Sequence, residues 1–106
     1  MPVSIISTPS RMTALLSGEI DHHNAGEIRE SIDLAVIKQR PLILRLDFGR
    51  VSFMDSSGVG LVMGRYRTVS SYGGRVEIAN LSGSIERVMK LSGIERIAKI
   101  VKEATI

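Results

Sequence analysis

This sequence predicts an α/β domain with a mixed, mostly parallel sheet, and three observations carry that reading. Short β-branched or apolar runs alternate with stretches of helical period, in the order β-β-α-β-α-β-α-β. The first two strands are joined by a turn so short that they must be antiparallel neighbours. The run Leu42-Ile43-Leu44-Arg45-Leu46 scarcely alternates, as expected of a central strand covered on both faces. With 106 residues, and no repeat, linker or low-complexity tract, the chain is expected to form one small domain over residues 1–106 around one core.

Val3-Ser4-Ile5-Ile6-Ser7 is the first strand, stopped by the turn chemistry of Thr8-Pro9-Ser10-Arg11. Met12 to Ser17 reads as the second, ended by Gly18, with a polar loop from Glu19 to Asn24. Asp21, His23 or Asn24 can cap the helix that follows. In that helix Ala25, Ile28, Ile32, Ala35 and Val36 share one face. It runs to about Gln39, acidic at its start and basic at its end, and Pro41 stops it. The Leu42–Leu46 strand follows. A second helix begins near Ser56 or Ser57 and ends by Ser71, before Gly73-Gly74. Arg75 to Ala79 is another strand. A third, shorter helix carries Ile85, Val88 and Met89 on one side, capped by Ser82 or Ser84, and Ile97 to Val101 is the last strand. From Lys102 onward at most a short helical stub is expected.

Composition removes several classes of function. The absence of cysteine excludes disulfides and thiolate chemistry, removes the commonest structural zinc ligands, and suits a reducing compartment. No apolar run approaches the roughly 20 residues that span a bilayer, and no basic-then-apolar signal pattern opens the chain. A cytoplasmic protein without a membrane partner is the expectation. The formal charge of +3 permits nucleic-acid binding, but the basic residues are spread out and aromatics are few. Stacking platforms and clustered basic faces are both missing, so nucleic acid is not an expected partner.

The chain is organised around Phe53-Met54-Asp55-Ser56-Ser57-Gly58-Val59-Gly60, where a buried strand hands over to a helix. First-turn N–H groups and the positive end of the helix dipole meet there. A hydroxyl or carboxylate at that place can cap the helix, or a hydroxyl can carry an anion such as phosphate. On a helical wheel, Val59, Val62, Met63, Tyr66 and Val69 fall on the side expected to face the sheet. The opposite side carries Ser57, Gly60, Leu61, Gly64, Thr68 and Ser71. Two glycines within a helix cost about 1 kcal/mol each relative to alanine. Such a row of small residues lets a partner approach the backbone, with Leu61 as its apolar contact. The competing reading is that Gly60 and Gly64 let elements of the same domain approach one another.

Two stretches carry a resemblance. Gly18-Glu19-Ile20-Asp21-His22-His23 and Phe53 to Gly60, with Gly64-Arg65-Tyr66 after them and Leu91-Ser92-Gly93-Ile94 near the end, are similar to the bacterial anti-sigma-factor antagonists of the STAS-domain fold. The likeness is greatest to the sporulation antagonists of an anti-sigma F factor. It implies a binding module, not an enzyme, switched by phosphorylation of the serine after the aspartate, which is Ser56. The implied partners are an anti-sigma factor that is also an ATP-dependent serine kinase, bound in its nucleotide-loaded form, and a serine phosphatase. A free chain that is monomeric and needs no cofactor goes with this reading. The residues expected at the partner surface are Asp21, Asp55, Ser57, Gly58, Gly60, Leu61 and Gly64. Asp21 joins them because loops leaving the strand near Gly18 and the strand near Asp47 emerge at one sheet edge.

Two rival readings are disfavoured by the residues themselves. A serine hydrolase would use Ser56 with His22 or His23 as base, but the nucleophile elbow has glycine two residues before the serine, where Met54 stands. Metal binding by adjacent loop histidines lacks a third ligand at helical spacing. Domains of similar fold also serve stress sensors and anion transporters; a free-standing antagonist is the expectation here.

Overall fold

A computed structural model describes residues 2–102; the expected stub after Lys102 falls almost wholly outside that range. The elements are β1 (Val3–Ser7), β2 (Arg11–Ile20), α1 (Ala25–Gln39), β3 (Ile43–Met54), α2 (Ser57–Ser70), β4 (Arg75–Ala79), α3 (Gly83–Leu91) and β5 (Ala98–Val101). A short 3₁₀ turn at Ile94–Arg96, not foreseen from the sequence, precedes β5. The five strands lie in sequence order across one sheet. β1 is antiparallel to β2, and every other pair is parallel.

Each β-α-β step moves one strand further in the same direction. With right-handed crossovers this sets the helices on one face of the sheet. Burial agrees. Met12 and Ala14 on β2, Leu44 and Leu46 on β3, and Val76 and Ile78 on β4 lie in register and, like Leu16 and Phe48 at the ends of those rows, are almost fully buried. Ile28, Ile32 and Val36 of α1, Val62 and Val69 of α2, and Ile85 and Met89 of α3 complete that core. Burying each such side chain stabilises the fold by about 1.5–3 kcal/mol before entropy is counted. The opposite side of β3 is also closed, but by charge. Arg45 is buried and gives its Nε and Nη2 to Glu77 Oε1 of β4 at 3.0 and 2.8 Å. That pair explains a strand without alternation and without helices on both faces.

Two strands are longer than their hydrophobic patterns suggest. β2 passes through Gly18 to Ile20, and β3 continues past Asp47 to Met54. The β2–β3 register slips twice, between Leu15 and Ser17 and between Gly18 and Glu19, each time with an additional residue on β3. Gly18 takes φ +81° beside the second slip, a conformation that glycine adopts without steric cost. Gly49 N–H, at the first slip, donates to Asp47 Oδ1 at 2.8 Å. So the glycines mark bulges within the strands, not their ends.

α2 is rotated relative to the wheel read from the sequence. Gly58, Leu61, Val62, Arg65 and Val69 are buried, whereas Met63 is exposed and Val59 and Tyr66 are half-buried. Leu61 is therefore mainly a core residue, at 4% exposure, with only an edge reaching the groove between α1 and α2. The cause is α1, which lies along the other flank of α2. Arg65 Nε sits 2.8 Å from Asp33 Oδ1 of α1, and this ion pair, buried on the arginine side, takes a place that hydrophobicity assigns to solvent.

Candidate functional site

The parallel pairing of β2 and β3 ends at Ile20 opposite Met54, so the turns that follow both strands leave the sheet side by side. The N–H of Asp55 donates to Ile20 O at 3.0 Å and fastens one turn to the other. His22 Nδ1 lies 3.7 Å from Asp55 Oδ2 across the same junction. Asp21 is thus brought to Asp55 and Ser56, as expected, though by strands ending at Ile20 and Met54 and not at Gly18 and Asp47.

Asp21 organises its own turn. Its Oδ1 accepts from the N–H groups of His23 and Asn24 at 2.9 and 3.1 Å, and its carbonyl accepts from Ala25 N. Asn24 Oδ1 returns a bond from Asp21 N–H at 2.9 Å. This reciprocal pair precedes α1 and fixes where the chain enters it. Asp21 is half-buried, so its capping role and an outward face coexist.

Asp55, not Ser56, supplies the side-chain cap of α2. Its Oδ1 accepts from Ser57 N–H at 2.8 Å. The Ser57 N–H, then the Ser57 hydroxyl, hold the Asp55 carboxyl below its ordinary pKa; His22 adds to this and slight desolvation opposes it. Gly58 N–H is taken by Asp55 O, and Val59 and Gly60 N–H by Ser56 O. The first turn is therefore largely satisfied by its own chain, which leaves little room for it to cradle a phosphate. Ser56 itself is exposed, and its hydroxyl caps nothing. Among the described residues no hydrogen bond joins that hydroxyl to either histidine, the arrangement a serine nucleophile would need. Nor does any group of three His, Cys, Asp or Glu side chains among them stand ready for a metal.

The glycines divide into two kinds. Gly58 is buried, and a Cβ there would drive into the Met54 side chain. It serves close packing of α2 on β3, so it is withdrawn from the partner surface predicted for it. Gly60 and Gly64 differ, since a Cβ on either would meet nothing within 4 Å. Neither is required by internal packing. Together with Ser57 they floor a groove between α1 and α2 whose other walls include Arg29, Arg65 and Arg67. These arginines were not foreseen as site residues. The signal that could have found Arg65 is its spacing from Leu61, Val62 and Val69, matched by Asp33 on the inner flank of α1.

A STAS-domain family model matches residues 5–104. The chain is 33% identical over 85 residues to the anti-sigma F factor antagonist of Paenibacillus polymyxa, covering 80% of this chain and 73% of that one. Among solved structures, the unphosphorylated form of the anti-sigma factor antagonist SpoIIAA superposes with a TM-score of 0.80 at 34% identity, over 95% of this chain and 89% of its own. The phosphorylated form of the Bacillus cell-fate determinant SpoIIAA superposes at 0.73, also at 34% identity, over 95% and 92% of the two chains.

Proposed function

The chain belongs to the STAS-domain family, and from that premise we propose that it is an anti-sigma-factor antagonist switched by phosphorylation of Ser56. Unphosphorylated, it binds an anti-sigma factor that is also a serine kinase, in its nucleotide-loaded form, and so frees the sigma factor to act in sporulation transcription. Phosphorylation by that partner ends binding, and a serine phosphatase restores it. The relative from P. polymyxa is named an anti-sigma F factor antagonist, and SpoIIAA is known in both phosphorylation forms. The observation that carries the reading is the exposed Ser56 hydroxyl, free of any cap, between two turns that share one sheet end.

The electrostatics favour a switch that acts at an interface. A phosphate adds about −1.5 to −2 charge units at neutral pH. Within the domain the helix dipole attracts it, by about 0.3–2 kcal/mol, while the neighbouring Asp55 carboxylate repels it. The opposition of these two effects leaves the fold nearly unchanged. At a partner surface that already holds nucleotide phosphates nothing offsets the added charge, and the loss is several kcal/mol, about a hundredfold or more in affinity. The deciding experiment incubates the protein with the anti-sigma factor of the same organism and ATP, then maps the phosphosite by mass spectrometry. Phosphate on Ser56, with none incorporated by Ser56→Ala, is the expected result; incorporation elsewhere, or none, overturns the reading.

A further inference from the structure

We infer that the groove between α1 and α2 is an electropositive seat for an acidic side chain of the protein partner. This rests on the partner-binding reading above and adds the chemistry of one contact to it. The groove, about 450 Å³, has Gly26 and Arg29 of α1 on one side and Gly60, Gly64, Arg65 and Arg67 of α2 on the other.

Arg65 carries the argument. It is only 5% exposed yet lines the groove. Its Nε lies 2.8 Å from Asp33 Oδ1, but the two atoms are not aligned for a hydrogen bond. Among the described residues nothing accepts from its two terminal nitrogens. Its Nε alone is both buried and without a hydrogen-bond partner; for the rest of a guanidinium that lines the groove, a second carboxylate is the matching acceptor. Arg29 and Arg67 are exposed and lie within electrostatic reach of Arg65. Three guanidiniums therefore line the groove, and of them Arg65 is the one paired with Asp33. The glycines make the charge accessible. At Gly26, Gly60 and Gly64 a Cβ would meet nothing within 4 Å, so internal packing does not explain them. Each weakens its helix relative to alanine. What they provide is a low floor over which a partner loop can bring a carboxylate to the planar fork of an arginine. The groove also begins at Ser57, next to the proposed phosphoacceptor, so a partner seated over Ser56 covers it.

The test follows association with the anti-sigma factor of the same organism by stopped flow at low and moderate salt. Arg29 and Arg67 are surface residues, and circular dichroism checks that the double variant Arg29→Glu/Arg67→Glu stays folded. That variant is expected to associate about tenfold or more slowly and to lose most of the salt dependence, as reversal of a steering charge does. Lys38→Glu/Lys99→Glu makes the same change in net charge outside the groove and is expected to stay within about twofold of the unaltered protein. Restoration of the rate by exchanging one partner acid for lysine identifies the seated side chain. If the unaltered protein fails to bind, the partner-binding reading falls and this inference with it. If it binds, and the two double variants behave alike, the inference alone is overturned.

Discussion

Asp55 donates its backbone N–H to Ile20 O at 3.0 Å, across the end of two parallel strands that are register partners to their last residues. That bond makes one rigid platform of two turns whose bonded residues lie 35 positions apart in the chain, by the difference of those numbers. The Asp21 carboxylate, the His22 ring and the Ser56 hydroxyl all stand on it.

Ser56→Ala should keep the fold and bind the nucleotide-loaded anti-sigma factor persistently, whereas Ser56→Asp should bind about a hundredfold more weakly. Ser57→Ala should still accept phosphate, because Ser57 enters the cap through its backbone N–H. Isothermal titration and phosphopeptide mapping check both statements. Equal affinity of the two Ser56 variants would sink the switch.

Gly58→Ala should destabilise by about 1–3 kcal/mol through overpacking, since its methyl group meets Met54. A double-mutant cycle with Met54→Ala should show favourable coupling, because the shorter side chain vacates that space. Additive losses in urea denaturation would mean that the two residues do not meet.

Gly64→Leu should block docking while leaving the fold intact. Its Cβ enters open space, and leucine is the better helix former by under about 1 kcal/mol. Melting temperature should hold or rise as partner affinity falls. A lower melting temperature would show that α2 is seated differently.

Asp21→Ala removes the acceptor of two N–H groups and should cost about 0.5–2 kcal/mol, a loss typical of a helix cap. Asp21→Asn retains an acceptor and should recover most of that stability. Partner affinity separates the two roles: if Asp21→Asn also binds weakly, the charge itself is recognised.

Asp55 bonds to Ser57 as the carboxylate, and its pKa is lowered. For a lowered carboxyl, the contribution is complete above the ordinary carboxylate range and is lost as pH falls through the lowered value, below about pH 4. Carbon-detected NMR titration should place the Asp55 midpoint below that of an exposed aspartate. Ser57→Ala removes the hydroxyl, the lesser of the two donors, and should move the midpoint part of the way toward the ordinary range.

Much of this molecule is decided by local chemistry and is legible residue by residue. Pro41 and Gly73-Gly74 punctuate the chain, the spacing of Ile28, Ile32 and Val36 sets the buried face of α1, and β4 runs from Arg75 to Ala79 as its composition predicts. Ser82 caps α3, accepting from Ile85 N–H. The place where Asp55, Ser56 and Ser57 meet a helix start is equally local. What only the tertiary structure decided involves partners far apart in sequence. Gly18 looks like a strand end until β2 and β3 pair in a slipped register, because a bulge is a property of two strands. Leu61 and Met63 exchange places relative to the wheel because α1 covers a flank of α2 and buries Arg65 against Asp33, a charge that hydropathy counts as solvent-facing. Gly58 and Gly64 are the same residue type on the same helix. One lies against Met54 and the other over open space, and that difference depends on what the rest of the chain places opposite each of them.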